Sequence, residues 1–241
     1  MINPRDITEL AVSLFYPRRC PVCGERLRIG EGLAHESCRK KLRYLREPRC
    51  AKCGKSLMDP RQEYCHDCRR RTSDFDAGRG IWLHDKYIRQ SLYEFKYANR
   101  REYADFYAEE AIRLYGDWIR IRGIDAVVPV PLHADKYRAR GYNQAEIFAG
   151  KIAKGMDIPL RTDILLRRKS TTALKDLEPA RRRRSVAEAF MTAPGAFVPP
   201  NILLADDIYT TGNTASYCAR ALKKAGAERV FVITVSTGGN A

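Results

Sequence analysis

The sequence predicts an α/β protein, a parallel sheet with helices on both faces, preceded by a small cysteine-rich module. Three observations carry that expectation. The run 125–128 (Asp-Ala-Val-Val), apolar after its Asp, and the run 202–205 (Ile-Leu-Leu-Ala) have the character of short strands buried on both faces. Helical spacing of apolar residues fills much of the chain around them. Seven of the eight cysteines lie before residue 70, and the composition changes after Arg71. The expected division is 1–72 for the cysteine module and 73–241 for the α/β domain.

The cysteines come in pairs with two residues between: Cys20 and Cys23, Cys50 and Cys53, Cys65 and Cys68. Cys38 joins the scheme through His35, which stands at the same spacing before it. Paired thiolates at this interval suit tetrahedral zinc. The simplest reading is two structural sites, Cys20, Cys23, His35 and Cys38 for one and Cys50, Cys53, Cys65 and Cys68 for the other. The spacing also permits an interleaved pairing, and His66 is an alternative ligand. The glycine after Cys23 and after Cys53 relieves the bend of a metal knuckle. With every position taken by protein, neither site leaves room for a catalytic water. So small a module buries little apolar surface, so the metal supplies most of its folding energy. Cys218 is different, because it shares the apolar face of the last helix with Ala215, Ala219 and Leu222 and reads as core.

Within the α/β part, residues 80–84 read as a strand, and 86–97 and 102–115 as helices. Their aromatic residues, among them Tyr93, Tyr97, Tyr103, Phe106 and Tyr107, read first as core and second as stacking platforms for bases. Lys96 sits between Phe95 and Tyr97, placed to snorkel or to enter a site. The strand at 125–128 must break at Pro129-Val-Pro131. Arg140, Asn143 and Gln144 then form a polar entry to a helix over 145–154. The run 202–205 leads into Asp206 and Asp207, the turn Thr210, Thr211, Gly212, Asn213, Thr214, and a helix to Gly226. At a strand end of an open α/β sheet this is the binding crevice, and amides with threonine hydroxyls there suit a phosphate. The two acids suit the hydroxyls of a ribose, directly or through Mg²⁺. Two other nucleotide folds are excluded: no Gly-x4-Gly-Lys-Ser/Thr occurs, and no Gly-x-Gly-x-x-Gly follows a strand.

The acid pair and Thr-Thr-Gly-x-Thr turn resemble the signature by which type I phosphoribosyltransferases bind phosphoribosyl pyrophosphate (PRPP). In order along the chain, the cysteine pairs, Val-Pro-Val-Pro-Leu-His (128–133), Arg-Gly-Tyr-Asn-Gln (140–144) and Asp-Asp-Ile-Tyr-Thr-Thr-Gly-Asn-Thr (206–214) resemble the ComF/GntX family, from Cys20 to about Val235. That resemblance implies a double zinc ribbon joined to a type I phosphoribosyltransferase-like domain, with a link to uptake of transforming DNA. It gives Asp206 and Asp207 the ribose role, Thr210 to Thr214 the phosphate role, and Val130, Pro131, Leu132 and His133 the pyrophosphate loop. It also marks two departures: His35 stands where relatives more often have cysteine, and the amides relatives tend to carry between Leu165 and Phe190 are missing, with Lys175 and Ser185 nearby. Arg140, with Arg167, Arg168 and Lys169, would supply cations, the last three in a closing lid or on a solvated helix face, and Arg181 to Arg184 form a second basic run.

The formal net charge is +15, from 44 basic and 29 acidic residues, which suits polyanionic partners. Arg18, Arg19, Arg39, Lys40, Lys41, Arg43 and Arg69 to Arg71 flank the cysteine pairs and read equally as nucleic-acid contacts or solvated charge. No apolar stretch approaches the roughly 20 residues of a membrane span. The N-terminus lacks the pattern of a secretory signal, so a cytoplasmic location is expected. Three functions fit: a competence protein that binds PRPP and single-stranded DNA and works with DNA-uptake proteins; a metabolic phosphoribosyltransferase; or a nucleic-acid-binding regulator that senses PRPP. No residue of the sequence identifies an acceptor for the ribosyl group.

Overall fold

The computed structural model describes residues 17–168 and 189–238. Lys169, Lys175, Arg181 to Arg184 and Ser185 therefore lie outside the described residues. Four parallel strands form the main sheet: β1 (Ala77–Leu83), β2 (Ala126–Pro129), β5 (Asn201–Tyr209) and β6 (Arg229–Thr237), in spatial order β1-β6-β5-β2. Past β2 the chain returns at Leu160, which bridges Val127 in parallel. A separate antiparallel pair, β3 (Leu165–Arg167) and β4 (Phe190–Thr192), stands beside it.

Both faces of the sheet are covered, as the uninterrupted apolar strands require. Because side chains alternate along a strand, Leu203, Ala205, Phe231 and Ile233 enter one core while Ile202, Leu204, Val230 and Val232 enter the other. The first core is roofed by α3 (Lys86–Tyr97), α4 (Tyr103–Ile121) and α6 (Gln144–Met156). The second is roofed by α7 (Asn213–Lys224), which buries Ala215, Cys218, Ala219 and Leu222 at helical spacing. Asp85 caps α3 by accepting from the amides of Tyr87 and Ile88 at 3.0 and 3.2 Å, and Asn143 caps α6. A seven-residue helix, α5 (Ala134–Arg140), precedes α6 and ends on Gly141 at φ 79°.

Two elements run further than sequence periodicity implies. β5 continues through Asp206 and Asp207 to Tyr209, because β6 offers ladder partners as far as Thr237. The acids are thus in the strand, not after it. α4 extends to Ile121, carrying Ile119 into the core.

The cysteine-rich segment packs into the α/β part rather than standing apart from it. Cys20, Val22, Leu27, Cys38 and Leu42 join the core under α4, whereas Cys50, Cys53, Leu57 and Phe75 join the core under α7. Gly54, at φ 74°, lies so close to β1 that an added Cβ would meet the Gly78 carbonyl oxygen at 2.5 Å. Charge fixes the first half: the buried Glu110 carboxylate on α4 accepts from Arg39, from Tyr44 Oη at 2.9 Å and from Arg113 Nη2 at 2.6 Å. Arg39 reaches Glu109 as well, at 2.6 Å, and its guanidinium covers the Phe106 ring at 4.8 Å.

Replacing Glu110 by Ala leaves Tyr44 without its acceptor at a buried contact and Arg39 with Glu109 alone. Urea denaturation should show a loss of about 3 kcal/mol, the scale of a broken buried ion pair, with Glu110→Gln losing less because it keeps an acceptor. Equal stability of Glu110→Ala and wild type would contradict this role.

Candidate functional site

The eight ligands predicted for metal converge in the sequential pairing. The donor atoms of Cys20, Cys23, His35 and Cys38 lie within 4.8 Å of one another, and so do those of Cys50, Cys53, Cys65 and Cys68. Sulfurs around a tetrahedral zinc at about 2.3 Å stand roughly 3.8 Å apart; Cys53 Sγ and Cys65 Sγ are 3.6 Å apart. His35 presents Nδ1, at 3.3 Å from Cys23 Sγ and 4.0 Å from Cys38 Sγ. Its other ring nitrogen faces Glu31 Oε2 at 3.7 Å, where an outer carboxylate that orients a ligating imidazole would stand. His66 belongs to neither set, and its Nε2 lies 3.4 Å from Arg70.

The two sites repeat the same local structure. In each, a knuckle glycine amide donates to the first cysteine's carbonyl, Gly24 to Cys20 at 2.8 Å and Gly54 to Cys50 at 2.9 Å. In each, the third ligand stands at the N-cap position of a short helix, His35 before α1 (Glu36–Arg39) and Cys65 before α2 (His66–Arg70). Cysteine at 65 and histidine at 35 are equivalent donors in one framework, so the second zinc would carry one more thiolate charge than the first.

The second site is a crevice at the carboxyl ends of β2 and β5. From β2 the chain passes outward to Leu160, and from β5 it passes the other way to β6. That divergence opens the crevice between the two loops. On the β5 side the turn Thr210 to Thr214 encloses a small hollow with Asp206, Ile208 and Thr234. Gly212 takes φ 79°, and an added Cβ would stand 2.2 Å from Tyr209 Oη. No side chain caps the N-terminus of α7, which opens on this hollow.

Neighbouring positions on a strand face opposite ways, so the two acids have different surroundings. Asp207 is buried and forms an ion pair with Lys96 of α3. Burial opposes its ionisation, but the Lys96 ammonium overrides that and holds the carboxyl below its ordinary range. Asp206 turns the other way, accepts from the Asp207 amide at 2.9 Å, and lines the hollow. Burial first, and the Asp207 charge second, push its carboxyl well above the ordinary range.

On the β2 side, Val130 to His133 form the loop. Val130 donates its amide to Ala205 at 2.9 Å and accepts from Asn143 Nδ2 at 3.0 Å, which ties the loop to α6. The His133 ring caps α5, accepting from the Asp135 amide at 3.2 Å. Beyond the loop a cleft of about 520 Å³ runs to β3, lined by Pro131, Leu132, Arg138 and Arg167. The Arg168 amide closes the β3–β4 pair on Ala189 at 2.8 Å. Arg140 stands elsewhere, in a cleft with Lys96 and Tyr97, and donates to Gln144. The structure thus separates Arg140 from Arg167, and the helix-entry side chains Arg140, Asn143 and Gln144 are partly spent on one another and on the loop.

Sequence reasoning passed over His84 and Thr234. His84 closes β1, its Nδ1 3.0 Å from Ser236 Oγ, and burial holds its pKa below the ordinary value, with the nearby cations Arg89 and Lys96 acting in the same sense. Its place at the end of a parallel strand was the available signal. Thr234 comes opposite Asp206 by strand register alone, which nothing in the sequence displays.

The zinc-ligand geometry and its repeat define a double zinc ribbon, and residues 11–69 match the family model of the double zinc ribbon domain. Beyond that segment the similarity runs along most of the chain. It is homologous to competence protein F of Haemophilus influenzae, 27% identical over 228 residues that cover 90% of this chain and 96% of that one. Competence protein ComFC of Bacillus subtilis is 27% identical over 197 residues, 79% of this chain and 78% of that one. DNA utilization protein YhgH of Salmonella typhimurium is 23% identical over 223 residues, 91% and 96% of the two chains. Among the described residues no helix is long and apolar enough to cross a membrane.

Metal analysis of the purified protein should return two zinc ions per chain, falling to about one in His35→Ala. Two ions retained in that variant would remove His35 as a ligand. Glu31→Gln keeps both ligand sets and should weaken the first site about tenfold in a chelator competition.

Proposed function

We propose that this chain binds PRPP with Mg²⁺ at the crevice between β2 and β5, through a phosphoribosyltransferase-like domain, and acts in DNA uptake by handling single-stranded DNA. The observation that carries the reading is the meeting, at the sheet's switch point, of Asp206 with the uncapped turn Thr210 to Thr214. The second support is likeness to proteins named for competence and for DNA utilization.

In this reading the amides and hydroxyls of Thr210, Thr211, Gly212, Asn213 and Thr214 hold the terminal phosphate of the sugar, with Thr234 completing the wall. Asp206 and Asp207 take the ribose hydroxyls. Carboxylate oxygens are the donors a hard divalent cation takes, and Mg²⁺ bound here would neutralise charge on the pyrophosphate. Val130, Pro131, Leu132 and His133 form the loop under the pyrophosphate. Lys96 favours the ionised form of Asp207 for that role, while burial and the Asp207 charge disfavour that of Asp206, a cost that a bound cation would offset.

A second reading, turnover, has one observation in its favour: the cleft of about 520 Å³ beside the loop is large enough for an acceptor. The reaction would be displacement of pyrophosphate from the anomeric carbon, with Arg167 and Arg168 stabilising the leaving group. A regulator that senses PRPP would instead bind it without releasing pyrophosphate.

Titration calorimetry with PRPP, with and without Mg²⁺, tests the binding claim. Wild type should bind with Mg²⁺, and Asp206→Asn and Asp207→Asn should each weaken binding by at least about tenfold, the loss of a charge-assisted contact. Absence of heat with wild type at millimolar PRPP would end this reading. Pyrophosphate release measured across nucleobases, ammonia and water then separates turnover from binding alone.

A further inference from the structure

Most of the aromatic-rich stretch is core, as its helical spacing implies: Phe95, Tyr103, Phe106 and Tyr107 are buried. Tyr93 and Tyr97 are not. They remain 59% and 65% exposed on α3, one turn apart, with ring centroids 5.0 Å from each other. Tyr97 forms one wall of a cleft of about 180 Å³ between the end of α3 and α5, and the other wall carries Lys136 and Arg140.

Neither cation of that wall enters an ion pair among the described residues, although Arg140 donates to Gln144. The Arg140 guanidinium lies 5.1 Å from the Tyr97 ring centroid, and its Nε is buried with no hydrogen-bond partner among the described residues. Lys136, one helical turn earlier on α5, is exposed and enters no ion pair among the described residues. Lys96 faces the same cleft, but its ammonium is taken by Asp207. At the rim Arg101 lies over the Tyr142 ring at 4.5 Å, held by Asn99 Oδ1 at 2.8 Å.

Exposed aromatic faces beside unpaired cations match an alternation of flat bases and phosphates. Stacking requires a base whose face is open, which a duplex hides except at its ends, and it tolerates any sequence. We propose that this cleft takes a nucleotide of single-stranded nucleic acid, its base on Tyr97 and Tyr93 and its backbone phosphate at Lys136 and Arg140. The inference rests on the single-strand part of the proposed function and gives that activity a place. It also moves the contact away from the ribbons, where Arg39 is already spent on Glu109 and Glu110. Neither tyrosine is a core residue, so their removal leaves the fold standing.

The test is fluorescence polarisation of labelled oligo-dT, oligo-rU and a DNA duplex against wild type, Tyr93→Ala/Tyr97→Ala, Tyr97→Phe, Lys136→Gln, and a ribbon variant in which Arg69, Arg70 and Arg71 become serine. Single strands should bind wild type more tightly than duplex does. The double tyrosine variant should bind them about tenfold or more weakly, and Tyr97→Phe should keep most of the affinity because its ring still stacks. Lys136→Gln should flatten the salt dependence by about one phosphate contact. If wild type binds no single strand, the single-strand reading itself fails and this inference with it. If wild type binds but the double tyrosine variant matches it, or only the ribbon variant loses affinity, the cleft alone is overturned.

Discussion

A parallel sheet buried on both faces needs a roof on each, and the rest of this structure follows from how those two roofs are built. β5 and β6 carry fully buried side chains to either side, and helices alone do not close either core. The first zinc ribbon completes the core under α4 and the second completes the core under α7. Each ribbon is too small to bury its own interior, so metal binding and docking are coupled parts of one folding free energy. Buried Glu110 fixes the first ribbon electrostatically, and the close approach of Gly54 to the β1 backbone fixes the second sterically. The ribbons thus serve as structural members of the α/β core.

The same sheet geometry shapes the acid pair. In a strand, adjacent residues face opposite cores, so Asp206 and Asp207 do not form a two-carboxylate cluster. One is matched by Lys96 from the helical roof and ionises readily; the other faces the turn and resists ionisation. A single cation on α3 therefore gives two chemically identical groups different acidities. Because the end of α3 also carries the exposed tyrosines, this helix connects the crevice to the cleft proposed for nucleic acid.

Much of the fold was legible because its signals are local. Continuous apolar runs marked β2 and the start of β5, helical spacing marked α3, α4, α6 and α7, and cysteine intervals marked both metal sites. Cys218 falls in the core as its helical face implied. What escaped was set by partners distant in sequence. The far end of β5 depends on its ladder with β6, and the role of Lys96 depends on a carboxylate more than a hundred residues away. Thr234 enters the hollow through register, and His84 meets Ser236 of the neighbouring strand. Of the tyrosines at helical spacing, only packing could separate Tyr103 and Tyr107, sealed in the core, from Tyr93 and Tyr97, left in water.

The sequence by itself determined which groups are present and at what spacing: four ligand pairs, an acid pair followed by a threonine-glycine turn, and a proline-broken strand end. Spacing is enough where chemistry is local, as in a zinc knuckle or a helix N-terminus. Only the tertiary structure decided how those groups combine. It chose the sequential zinc pairing, put the acids back to back on one strand, gave Lys96 to Asp207, and set Arg140 apart from Arg167. The physical reason is that burial and charge pairing are sums over neighbours in space, and the chain's order does not contain those neighbours until the sheet has brought them together.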